Sequence, residues 1–174
     1  MYCLLSPIQE LYESISGEIL ALTWHPQKEN MLTFGTDEGR IGTVDALSPR
    51  PNPVIFDFKH RSTVYNLTYG PTAINVDVEN ADENIDSISL YSLGDGVVFM
   101  HKAQRGIKPT NIEDIIAKTN NWERKAPSRS ELVFQPVLQK FLAIGCDDGT
   151  MSVCLSVCLS VCLSVCLCVC LCVR

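Results

Sequence analysis

The strongest constraint on what this chain can fold into is a short motif that it writes three times. Leu22-Thr23-Trp24-His25-Pro26 returns as Leu67-Thr68-Tyr69-Gly70-Pro71 and again as Leu132-Val133-Phe134-Gln135-Pro136. Each copy alternates an apolar residue, a spacer and an aromatic, which is the pattern of a half-buried strand, and the proline ends that strand. A second element follows each copy: Met31–Gly39, Ile88–Gly96 and Phe141–Gly149. The first and third close on Gly-x-Asp-x-Gly, with the last glycine thirteen residues after the proline. In the middle copy Gly96 lies twenty-five residues after Pro71, which predicts an insertion, placed over acidic residues 72–86.

An acidic residue before glycine suits a tight turn in which glycine takes a positive φ. Apolar alternation resumes after the turn in Arg40-Ile41-Gly42-Thr43-Val44-Asp45 and in Val97-Val98-Phe99-Met100. Each unit therefore reads strand, turn, strand, hairpin, strand. Leu22 and Leu67 are 45 residues apart, the period of a WD40 repeat, and Leu132 follows after 65. The expected fold is all-β: a partial WD40 β-propeller of about three antiparallel blades, one short inter-blade helix and a low-complexity tail. The expected divisions are a lead-in over 1–16, blade one over 17–58, blade two over 59–108, a helical segment over 109–128, a truncated blade three over 129–153 and the tail over 154–174. In the helical segment Thr110 or Asn111 is placed as a cap for Ile112, Ile115 and Ile116 on one face.

The tail repeats Ser-Val-Cys-Leu from Ser152 and ends in Cys168-Val169-Cys170-Leu171-Cys172-Val173-Arg174. A TCTG tetranucleotide repeat encodes that cycle in every frame, so translated repeat DNA is the simplest account. The uncharged run from Met151 to Val173 is also long enough to span a bilayer, although serine at every fourth position weakens that reading. CxxxC repeats without histidine or turn residues are a poor zinc site. Seven of the nine cysteines lie in this tail, leaving Cys3 and Cys146 in the body, a usage that fits a reducing compartment. No basic, apolar leader is visible at Met1–Leu5, so the expected location is cytoplasm and nucleus and no membrane partner is expected. The Asn66-Leu67-Thr68 sequon is read as chance.

The net charge is -6, and residues 1–150 alone stand at 13 minus 20, or -7. That balance argues against indiscriminate nucleic-acid binding and leaves room for a local RNA site. No catalytic set appears. His25, His60 and His101 sit in separate units without metal-ligand spacing, Asp37, Asp95, Asp147 and Asp148 belong to turns, and the glycines punctuate strands. The expectation is a binding scaffold that is not an enzyme and takes no metal or cofactor.

The segments Leu22–Gly39, Thr63–Leu67, Asn111–Asn120 and the third Gly-x-Asp-Asp-Gly resemble the gem-associated WD40 family, an RNA-binding part of the survival-of-motor-neuron complex. The resemblance runs from about Leu11 to Val153 and would match an interior propeller stretch. It implies small nuclear RNA and other subunits of that complex as partners, work in spliceosomal ribonucleoprotein assembly, and presence in nuclear gem bodies. A WD40 protein-interaction scaffold without RNA binding, and an inactive truncated product, are the alternatives.

Single-stranded RNA is held by aromatics that stack on bases and by cations that meet phosphate. The place that fits is Lys59-His60-Arg61 leading into Tyr65, with Tyr65 to stack and Lys59 or Arg61 to meet phosphate. The competing reading packs Tyr65 between blades. The clusters Lys102/Arg105/Lys108 and Arg124/Lys125/Arg129 are expected as solvated charge. Trp24 is expected in the core, and Trp122 is left open.

Overall fold

The computed structural model describes residues 15–72, 88–102, 107–112, 128–134, 141–155 and 169–171. They form three four-stranded antiparallel sheets. The first sheet is β1 (Ile19–Trp24), β2 (Met31–Thr36), β3 (Arg40–Asp45) and β4 (Val54–Lys59), in that order. The second is β5 (Val64–Pro71), β6 (Ile88–Gly94), β7 (Val97–His101) and β8 (Thr110–Asn111). The third is β9 (Arg129–Phe134), β10 (Phe141–Cys146), β11 (Met151–Leu155) and β12 (Val169–Leu171). Each sheet is a meander, and β5 packs between β1 and β9, so the first strands of the sheets lie side by side. This is a partial propeller of three blades with no closed ring among the described residues.

The repeat explains how the blades stack. Within a sheet, directly paired residues share a face. Leu22 pairs Phe34, Leu67 pairs Ser92 and Leu132 pairs Ile144, so these are equivalent positions in the three blades. The face that carries Leu67, Tyr69 and Leu90 packs on Ala21 and Ile41 of the first sheet. The same face of the third sheet, with Leu132, Phe134, Leu142 and Ile144, packs on Tyr91, Leu93, Val98 and Met100 of the second. The motif's aromatic is the knob in both cases. The Tyr69 ring lies 4.7 Å from His25 and its hydroxyl is 2.6 Å from Thr33 Oγ1. Phe134 lies 4.9 Å from the Tyr91 ring and rests on Gly70, where any Cβ would collide with it.

Trp24 is the equivalent aromatic of the first blade, but it is 57% exposed, not in the core. Its strand is correctly formed; the described residues contain no preceding sheet for its face to cover. The turns follow the sequence closely: Gly39, Gly96 and Gly149, the closing glycines, have φ of 86°, 71° and 82°.

Two features differ from expectation. Thr110 and Asn111 form β8 and complete the second blade by pairing with Met100 and Phe99, and a helix begins directly after Asn111, at Ile112. The rest of the expected helix after Ile112 lies outside the described residues, as do Arg105, Trp122, Arg124, Lys125 and all of the expected insertion over 72–86 except Thr72. In the third blade the repeat does not stop at Val153: β11 runs to Leu155, and Val169–Leu171 of the Cys-rich tail pairs with it as the fourth strand. Arg129, expected as solvated charge, is buried at the start of β9, with its guanidinium donating to Cys146 Sγ at 2.8 Å.

Candidate nucleic-acid interface

Tyr65 owes its position to a break in strand register. Val64 pairs Gly94 and Asn66 pairs Leu93, so Tyr65 has no residue opposite it. Two buried residues, Val64 and Leu67, are three apart, a spacing that strict alternation cannot put on one face. A one-residue bulge reconciles them and turns the extra side chain outward. The ring is 58% exposed and does not pack between blades. The other two blades repeat the irregularity: Leu20 falls between paired Ile19 and Ala21, and Ser130 between paired Arg129 and Glu131. Leu20, Tyr65 and Ser130 therefore form one exposed row across three adjacent first strands, with Tyr65 as its aromatic member.

Lys59 ends β4 opposite Arg40, and Arg61 lies in the turn that leads to β5; both are exposed. The Arg61 backbone N–H donates to Asp95 Oδ2 at 2.6 Å, which ties the turn to the hairpin of the second blade. Lys59, Arg61 and Tyr65 thus share one rim. Acidic turns share it too. Asp37 Oδ1 accepts from the Glu18 backbone N–H at 2.8 Å, and Asp148 Oδ1 accepts from the Thr150 N–H at 2.9 Å. Burial raises the Asp95 carboxyl, but hydrogen bonds from the Ser62 hydroxyl and the Arg61 N–H, with His60 nearby, outweigh it and hold the group below the usual carboxylate range. The two cations therefore work beside fixed negative charge.

His60, between them in sequence, takes no part in this surface. It is buried, and its Nε2 lies 2.8 Å from Ser92 Oγ, which lies 2.7 Å from His101 Nε2. Histidines from the two ends of the blade-two stretch 59–108 thus meet around one hydroxyl, enclosed by Phe56, Phe58 and Phe99. The signal for this was a histidine just before a repeated strand and a serine three residues before the turn aspartate. Burial lowers the His60 pKa, more than Asp95 and the Gly94 carbonyl raise it. His60 Nδ1 and Asp95 Oδ2, 3.9 Å apart, are within ion-pair range, but a neutral imidazole makes the contact a weak one. Asp95, His60 and Ser92 stand in the order of a hydrolase triad, yet Ser92 is fully buried and both neighbours occupy its oxygen. Among the described residues no three His, Cys, Asp or Glu side chains are placed to share a metal ion, and no helix is long and apolar enough to cross a membrane.

No family model matches the chain. It is 31% identical to gem-associated protein 5 of Homo sapiens over 148 residues, which is 84% of this chain and 10% of that protein. The Mus musculus counterpart is 32% identical over the same share of each chain. The chain thus spans about one tenth of the length of the curated relatives it matches. Among solved structures, the computationally designed Ika4 protein superposes with a TM-score of 0.51 at 21% identity, over 85% of this chain and 73% of that one, a likeness of fold alone. Over most of its own length, the chain is similar in sequence to gem-associated protein 5.

Proposed function

We propose that this chain is an RNA-binding segment of a WD40 propeller without chemistry of its own, taking a single-stranded stretch of small nuclear RNA. In this reading it serves spliceosomal ribonucleoprotein assembly alongside other subunits of the survival-of-motor-neuron complex, in cytoplasm and nucleus. The observation that carries the reading is Tyr65, a flat ring set outward by a bulge on a rim with Lys59 and Arg61, in a chain similar to gem-associated protein 5. The ring supplies a stacking platform for one base, and the cations supply two phosphate contacts.

Fluorescence anisotropy with a labelled single-stranded small nuclear RNA segment tests it. One stacked base is worth about 1–3 kcal/mol, so Tyr65→Ala is expected to weaken binding roughly ten- to hundredfold. Two phosphate contacts on a single strand predict a log–log salt slope of about -1.4. Unchanged affinity in Tyr65→Ala would remove the interface. A second reading, a protein-interaction scaffold without RNA, is favoured by the acidic turns on the same rim. Absence of measurable RNA binding by the intact chain at low salt would select it.

A further inference from the structure

Residues 60–63 carry the chain from β4 to β5. The His60 N–H donates to the Gly39 carbonyl at 2.9 Å, and the Thr63 hydroxyl donates to the Asp37 carbonyl at 3.1 Å. The two residues between them hang on a single side chain. Asp95 Oδ2 accepts from the Arg61 backbone N–H at 2.6 Å, and Asp95 Oδ1 accepts from the Ser62 hydroxyl. Among the described residues, Arg61 and Ser62 have hydrogen-bond partners only in Asp95.

Asp95 stands apart from the other turn aspartates. Gly94 pairs Val97, so Asp95 and Gly96 make a two-residue hairpin turn, with φ of 57° and 71°. Asp95 is the one residue other than glycine with a positive φ among the described residues. Glycine takes that conformation without steric cost; an aspartate there brings a carboxylate to the turn. Asp37 is its equivalent in the first blade, since Thr36 and Gly94 pair the first residues of β1 and β5. Asp37 reaches one backbone N–H, that of Glu18. Asp95 instead grips two successive residues, and these lie between Lys59 and Tyr65.

We propose that Asp95 is a positioning residue for the RNA interface: by holding Arg61 and Ser62 it sets the Arg61 cation in place relative to Tyr65 before RNA arrives. The inference rests on the RNA reading of Tyr65 given above. The ring itself is fixed separately. Val64 packs against Gly35, where a Cβ would lie 2.6 Å from Val64 Cγ1, and the Asn66 side-chain amide donates to Glu131. Releasing the turn therefore loosens the cation against a ring that stays anchored, and binding then has to order it. The direction of the effect is diagnostic. As a bystander, a negative charge beside cations weakens their hold on a polyanion, so its removal would tighten binding. As a positioning residue, its removal weakens binding.

Fluorescence anisotropy on the intact chain, with the labelled single-stranded small nuclear RNA segment as probe, tests this. Asp95→Gly removes the carboxylate and accepts the positive φ; it is expected to weaken binding about three- to tenfold. Asp95→Asn matches that variant in charge but retains an acceptor oxygen, and is expected to bind more tightly than Asp95→Gly. In an Arg61→Gln background the effect of Asp95→Gly is expected to shrink below about twofold, whereas a purely structural loss would add in full. Unchanged or tighter binding by Asp95→Gly, equal affinities of Asp95→Asn and Asp95→Gly, or an undiminished effect beside Arg61→Gln overturns the proposal. Tyr65→Ala measured in parallel separates the two levels. If it weakens binding and Asp95→Gly does not, the RNA reading stands and Asp95 has no part in it; if neither weakens binding, both are lost. Circular dichroism checks folding. Ser62→Ala, which removes one of the two hydrogen bonds from the other side, is the substitute if Asp95→Gly unfolds; it is expected to weaken binding about twofold or more, and unchanged affinity there overturns the proposal equally.

Discussion

Ser92 Oγ has one proton to give and two imidazoles beside it. The hydroxyl donates to one ring and accepts from the other, which fixes the tautomers of both. With His60 Nδ1 facing Asp95, the arrangement that keeps a ring lone pair away from the carboxylate puts N–H at His60 Nδ1 and at His101 Nε2. Ser92→Ala leaves two buried ring nitrogens without partners and is expected to cost about 1–3 kcal/mol, read as a lower urea midpoint. Both rings are neutral in the fold. Burial, then the neighbouring His60, brings His101 from 6.5 down to about 4. As pH falls below 6.5 the unfolded chain takes up protons that the folded chain refuses until about 4. Stability is therefore complete above that window and declines through it, by roughly 3 kcal/mol for His101, with His60 acting in the same direction. Urea unfolding at pH 7.5 and pH 5 should show the drop, and His101→Gln should flatten it; equal midpoints in the wild-type chain would contradict the burial argument.

At the scale of the element, most of the fold was legible because the repeat states it. The aromatic positions, the closing glycines and the strand order all follow from Leu22–Pro26 and its copies. Trp24 shows the limit: alternation fixes which face a side chain occupies, while what lies against that face is decided by another sheet. The bulge at Tyr65 was written in the three-residue gap between Val64 and Leu67, yet it becomes visible only when both are known to be buried. Thr110 and Asn111 are too short a run for any periodicity, so pairing with β7 decided their state. The site was half legible. Tyr65, Lys59 and Arg61 lie exposed where β4 leads into β5, whereas Arg129 reads as solvated charge and is interior, because Cys146, seventeen residues away, draws it in. A matched pair of substitutions tests the register argument. Gly35→Ala forces a Cβ into Val64 and should cost about 1–3 kcal/mol, while Gly145→Ala, the same position in the third blade, should leave the urea midpoint of the chain unchanged.

For the molecule as a whole, stability is shared between two inter-blade layers, each filled by one aromatic from the later blade. Phe134 anchors the third sheet to the second, and Phe134→Ala is expected to cost about 3–5 kcal/mol. The loss should register as early proteolysis in the third sheet while the first two remain protected. The third sheet also differs from the others in where its last strand comes from. Val169-Cys170-Leu171 pairs with β11, and the same three residues stand at 157–159, 161–163 and 165–167. A shift of four residues preserves the alternation of faces, so the sequence offers four interchangeable candidates for one seat. The edge of the blade is thus specified by a pattern and not by one position: excising one Ser-Val-Cys-Leu unit is expected to leave a Val-Cys-Leu segment for the seat.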